Sequence, residues 1–193
     1  MIHHLRGKLV EKNPTNLVVE AAGVGYFVNI SLHTFDQIKA KEDIFIYTHF
    51  IVREDGHFLF GFFEKEERNL FRQLILVSGV GASTAQVILS SLKPNEIRKA
   101  IIESNVNALK AIKGIGLKTA QRIIIDLKDK LGKEEFIFDN FGVLGNNIRG
   151  EALTALTSLG FDKLKVEKAI EAMMKQNENI SLEQLIKITL KNL

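Results

Sequence analysis

Residues Val77–Gln86 and Ile112–Gln121 are two copies of one ten-residue pattern set 35 positions apart, identical at Gly79/Gly114, Gly81/Gly116, Thr84/Thr119, Ala85/Ala120 and Gln86/Gln121. Each copy reads apolar, variable, Gly, apolar, Gly, two variable positions, Thr, Ala. Apolar residues at helical spacing flank both copies: Leu70, Leu74 and Val77 before the first, Val87, Ile88 and Leu92 after it. The pattern therefore predicts two helix–turn–helix units whose turns are too tight for side chains at the glycines, where only glycine tolerates the backbone conformation without a steric cost. A duplicated unit of this kind commits the middle of the chain to a helical, internally pseudo-symmetric fold.

The repeated element resembles the helix-hairpin-helix family of DNA-binding motifs. Glycines let a backbone approach a phosphate closely, and the helix that follows directs its free N–H groups and positive dipole end at the same point. Gly79, Gly81, Gly114 and Gly116 are the expected cradle. The hydroxyls of Ser83, Thr84 and Thr119 are expected donors, and Lys118 and Arg122, one turn apart, add charge-assisted contacts. Two copies related by an approximate two-fold axis would contact both strands across a minor groove, independent of sequence and sensitive to salt. Charge agrees: residues 64–131 hold 12 Lys/Arg against 7 Asp/Glu, a net +5, while the segments on either side are each −1. That excess suits a polyanionic partner, and it also suits an ordinary solvated helical surface.

Two other chemistries share these residues. Gly116-Leu117-Lys118-Thr119 looks like the end of a phosphate-binding P-loop, but a leucine interrupts Gly-Lys-Thr and a helix, not a strand, precedes it. Gly114–Ala120 also looks like the hairpin of base-excision DNA glycosylases, in which a lysine placed like Lys118 attacks the sugar. That alternative needs a downstream aspartate. Asp139 stands 21 residues on, but in a Gly/Asn-rich stretch read as linker, and no cysteine is present for an iron–sulfur cluster.

The remainder of the chain falls into a multi-domain α+β order. Apolar alternation at Leu5–Val10, Leu17–Val19, Tyr26–Ile30, Ile44–Val52 and Phe58–Phe63 predicts five strands with a helical stretch near Thr34–Ala40, an arrangement of the OB-like β-barrel and of other small α+β folds. Asp55-Gly56 predicts a tight hairpin turn with positive φ at both central positions, exposing Glu54 and Asp55 at its tip. We expect a barrel over 1–63, the tandem hairpins over 64–131, a flexible linker over 132–147 and three short amphipathic helices over 148–193. In the last unit Gly160 suits a C-cap, Asp162 an N-cap, and Ser181 with Gln184 a capping box. Zero cysteines and five histidines without metal-ligand spacing predict no metal and no cofactor. The absence of a membrane-length apolar run or a signal-peptide pattern predicts a cytoplasmic protein.

Taken together, the order of barrel, acidic hairpin, tandem hairpins and detached helical tail resembles the RuvA family of Holliday-junction-binding subunits. Leu5-Arg6-Gly7, Gly23-Val24-Gly25-Tyr26, Thr48–Asp55, Phe60-Gly61-Phe62 and both hairpins carry the resemblance. It implies a non-catalytic homotetramer, one or two of which (a tetramer or an octamer) hold a four-way junction open. Glu54 and Asp55 would form an acidic pin at the crossover. A UBA-like third domain would dock on the hexameric ATPase RuvB through Leu156, Leu159, Phe161 and Leu190, and a RuvC-type resolvase is a further partner. Core and interface are equally open for Leu156. Two departures remove positive charge relative to many relatives: Ser83 in the first hairpin and Leu117 ahead of Lys118 in the second.

Overall fold

The computed structural model describes residues 1–39, 43–140, 148–176 and 180–192, with the side chains of 133–140 and 175–176 left aside. Strands β1 (His4–Asn13), β2 (Asn16–Ala21), β3 (Val24–Ile30), β4 (Asp43–Arg53) and β5 (Gly56–Phe62), with helix α1 (Leu32–Gln37) between β3 and β4, close into a barrel of order β1-β2-β3-β5-β4. All neighbours are antiparallel except β3 and β5, which pair parallel through Asn29↔Phe60 and Ile30↔Gly61. This is the OB-like arrangement. Alternation sets the inner face: Leu5, Leu17, Val19, Val28, Ile30, Ile44 and Ile46 are all buried in one cluster.

β5 departs from simple alternation because both of its faces are covered. Gly61 points inward, where an added Cβ would lie 2.5 Å from Val28 Cγ1 and 2.7 Å from Ile46 Cδ1. Phe60 and Phe62 point outward into a second core built with the helices that follow. Those helices are α2 (Lys65–Leu74), α3 (Ala82–Ser91), α4 (Pro94–Ile102), α5 (Val106–Lys110) and α6 (Leu117–Asn140). Barrel and helices share this core and form one compact unit, residues 1–135, so the step in the sequence pattern at 63/64 is not a gap in packing.

A buried polar cluster fastens α1 to α2. Ser31 caps α1 by accepting the Thr34 N–H at 3.0 Å, and its hydroxyl donates to Glu67 Oε1; Thr34 Oγ1 donates to Glu67 Oε2 at 2.6 Å and accepts the Phe63 N–H at 3.1 Å. Burial raises the Glu67 carboxyl above its ordinary value, while the hydrogen bonds from Ser31 and Thr34 oppose that rise. Alongside, Arg68 donates to the His3 carbonyl at 3.0 Å and lies 5.0 Å from the Tyr47 ring centre, which ties α2 to β4 at this point.

α6 does not stop at Leu131. It continues to Asn140, so the first part of the stretch expected as linker has a helical backbone, as strong helix formers such as Lys133, Glu134 and Glu135 favour. Residues 141–147 lie outside the described residues.

A second compact unit, residues 136–193, contains α7 (Ile148–Ser158), α8 (Lys163–Gln176) and α9 (Leu182–Lys191) around Ala152, Leu156, Val166, Ile170, Ile180 and Leu185. Its ends form as the local chemistry dictates. Gly160 has φ +96°, Asp162 Oδ1 accepts the Lys165 N–H at 3.0 Å, and Ser181 and Gln184 make reciprocal bonds at 3.3 and 3.4 Å.

Candidate nucleic-acid interface

The two hairpins have the same hydrogen-bond pattern. In the first, the Val77 N–H donates to Leu74 O at 3.0 Å, Val80 to Val77 at 3.0 Å, and Ala85 to Gly81 at 2.9 Å. In the second, Ile112 donates to Leu109 at 3.2 Å, Ile115 to Ile112 at 3.1 Å, and Ala120 to Gly116 at 2.9 Å. Gly79 and Gly114 take φ +88° and +86°, a conformation that a side chain resists. The apolar positions explain how the turns are held: Val77, Val80, Ile112 and Ile115 are buried in the shared core.

The second glycine of each hairpin is different. Gly81 has an ordinary extended backbone, φ −83° and ψ 173°, and an added Cβ there would meet nothing within 4 Å; the same open space surrounds Gly79, Gly114 and Gly116. Neither strain nor packing within the chain calls for glycine at 81. What remains is the outside: a bare backbone at the mouth of a helix admits a ligand to van der Waals contact with the main chain. α3 also begins without a side-chain cap, unlike the serine-capped α1 and α9, which leaves its first N–H groups for such a ligand.

A solvent-open cleft of about 430 Å³ joins the hairpins, lined by Ser78 and Gly79 from the first and by Lys118, Thr119, Gln121, Arg122, Ile125 and Asp126 from α6. Gly81, Ser83, Thr84, Gly114 and Gly116 do not line it. Ser83 and Lys118 are exposed, Thr84 and Thr119 half-buried. Arg122, one turn on from Lys118 along α6, also reaches across to the first hairpin. Its Nη1 donates to Ser78 Oγ at 3.1 Å and to Ser78 O at 3.5 Å, reaching the first hairpin. Ser78 was not singled out by the sequence, because the contact depends on how the two copies pack.

Asp139 lies on the backbone of α6, not in a linker, and its side chain is outside the described residues.

The acidic turn also differs in detail from expectation. Arg53 pairs with Gly56 across it, and neither Glu54 nor Asp55 has positive φ; Gly56, at φ +154°, is the glycine-favoured position. Glu54 and Asp55 are therefore themselves the two loop residues, and both are exposed.

In the three-helix unit, Leu156 is fully buried in the core, which corrects its assignment as a docking residue, since a side chain without exposed surface offers a partner nothing. Leu159, Phe161 and Leu190 are exposed at 64%, 38% and 36%, and Leu164, which the sequence reading did not single out, at 69%. Among the described residues no helix is long and apolar enough to cross a membrane.

Three family models match successive parts of the chain. The model of the RuvA N terminal domain matches residues 1–61, that of the SAM-like Helix-hairpin-helix tandem 71–129, and that of the RuvA C-terminal domain 147–193. A protein of Christiangramia forsetii, "Holliday junction branch migration complex subunit RuvA", is 49% identical over 193 residues, all of both chains. The chain belongs to the RuvA family. Relatives of the same description from Cytophaga hutchinsonii and Flavobacterium psychrophilum are each 46% identical, covering 99% and 100% of both chains respectively. RuvA-family membership spans the barrel, the hairpins and the tail together, not the hairpin motif alone.

Proposed function

We propose that this chain binds four-way DNA junctions by structure and not by sequence, holds them open, and positions a RuvB-type hexameric ATPase for branch migration in recombination and repair. One observation carries the reading: two hairpins with the same hydrogen-bond pattern present bare backbone at Gly81 and Gly116, at the mouths of α3 and α6, where neither a positive φ nor packing within the chain calls for glycine. Each hairpin holds a backbone phosphate, with Lys118, Thr119, Ser83 and Thr84 as the nearby donors, and the pair grips one duplex arm. A homotetramer brings four arms together, singly or as two facing tetramers. The barrel over 1–63, the hairpins over 64–131, the connection over 132–147 and the tail over 148–193 divide the labour.

Glu54 and Asp55 act as the pin at the crossover, where their charge repels strand phosphates and keeps the centre open. Leu159, Phe161 and Leu190, joined by Leu164, form the motor-docking surface. ATP hydrolysis belongs to the motor, so this subunit is non-catalytic and works in the cytoplasm, with a RuvC-type resolvase as a later visitor to the same junction. A competition gel shift tests the reading: a synthetic four-way junction outcompetes linear duplex of any sequence, and equal affinity refutes it. A borohydride trap on abasic DNA leaves no adduct at Lys118.

A further inference from the structure

The two hairpins are alike in backbone but not in charge. From Gln73 to Leu92 the chain contains no Lys or Arg, whereas the second copy carries Lys113, Lys118 and Arg122. The variable positions show the difference directly, with Ser78 opposite Lys113 and Ser83 opposite Lys118 in the repeat. A phosphate in the first cradle would have backbone N–H groups but no cation from its own turn or from α3, the helix that follows.

The cation arrives from the other copy. Arg122 lies on α6, yet its Nη1 donates to the Ser78 hydroxyl at 3.1 Å and the Ser78 carbonyl at 3.5 Å, immediately before Gly79, and both residues line the cleft with Lys118. The arginine side chain is exposed, and a guanidinium has five N–H donors in a planar fork, so the donors not engaged by Ser78 remain available to an anion. The repeat position equivalent to Arg122 is Val87, which has no side-chain donor to return the contact. The serine matters as well. A lysine at 78, as the second copy has, would set a like charge against the guanidinium.

We propose that Arg122 serves the first hairpin: Ser78 positions its guanidinium beside Gly79 as the cation of that phosphate site, supplying the charge that Ser83 does not. This rests on the DNA-binding reading and reassigns Arg122 within it. It also couples the two grips, since one side chain spans both.

Junction affinity and its salt dependence are measured for wild type, R122Q, S83K, the R122Q/S83K double variant and S78A. R122Q weakens binding about tenfold, the loss of one charge-assisted contact, and lowers the slope of log K against log salt by about one. Placing a lysine on the first hairpin restores both: S83K improves R122Q close to tenfold and wild type by a clearly smaller factor. S78A weakens binding roughly threefold with the slope unchanged, because the charge stays but its placement loosens. Equal improvement of wild type and R122Q by S83K overturns the proposal, as does a fall in melting temperature in R122Q that tracks the lost affinity. Wild type that fails to bind junctions removes the functional reading itself, whereas a binding wild type without rescue removes only this assignment.

Discussion

Replacing Gly81 by serine separates the two reasons a glycine can be required. At Gly81 the backbone sits at φ −83°, ψ 173°, close to the native serine caps Ser31 (−78°, 162°) and Ser181 (−73°, 155°), and a Cβ there meets nothing within 4 Å. Serine is the better N-cap by a few tenths of a kcal/mol, and losing a glycine from the unfolded chain adds about 0.4–1 kcal/mol. Gly81→Ser should therefore stabilise the protein by about 1 kcal/mol, a rise of roughly 2–4 °C in melting temperature for a chain of this size. Binding should move the other way. A phosphate oxygen accepting a main-chain N–H at about 2.9 Å has no room for a side chain at that point, and losing one charge-assisted bond costs about 1.5–3 kcal/mol, roughly tenfold to a hundredfold in affinity. Thermal melts and junction titrations on the same preparation read both quantities. A variant that is more stable and binds as wild type refutes the close-approach argument; one that loses stability and binding together makes Gly81 a structural residue.

Other outcomes follow from the buried and exposed side chains. Because burial raises the Glu67 carboxyl above its ordinary value near 4.5, folding favours its protonated form, so its contribution to stability is full below that value and declines as pH climbs through the folded-state value. The melting-temperature difference between wild type and Glu67→Gln should shift in that direction from acid to neutral pH, and a flat difference contradicts it. Leu156→Ala should cost about 2–5 kcal/mol and unfold the three-helix unit, whereas Leu159→Ala should leave its melt within about 0.5 kcal/mol and reduce stimulation of the motor ATPase; equal effects of the two variants contradict the division. Neutralising both Glu54 and Asp55 with amides should preserve junction binding and alter branch migration, and lost binding means that the pin is misassigned.

What the sequence made legible was whatever local chemistry decides. Gly160, Asp162 and the Ser181/Gln184 pair act through neighbours a few residues away, and the barrel strands through alternation against a single core. The hairpin glycines were legible because they repeat. Packing between elements was not. Leu156 and Leu159 sit three residues apart on the same apolar stripe, yet one is core and the other exposed, since the stripe is wider than the surface that α8 and α9 cover. The stretch expected as linker from Gly132 begins inside α6, because helix formers continue beyond the glycine. The Arg122–Ser78 contact joins residues 44 apart through the pseudo-symmetry of the repeat, which periodicity along one helix does not reveal.

The central claim, that paired hairpins grip backbone phosphates, meets its most direct test in an ethylation-interference footprint on a synthetic four-way junction. The account predicts that each duplex arm shows two short runs of interfering phosphates, one on each strand facing across a minor groove, unchanged when the arm sequence is changed. Interference that follows the base sequence, or that spreads evenly along the arms, contradicts it.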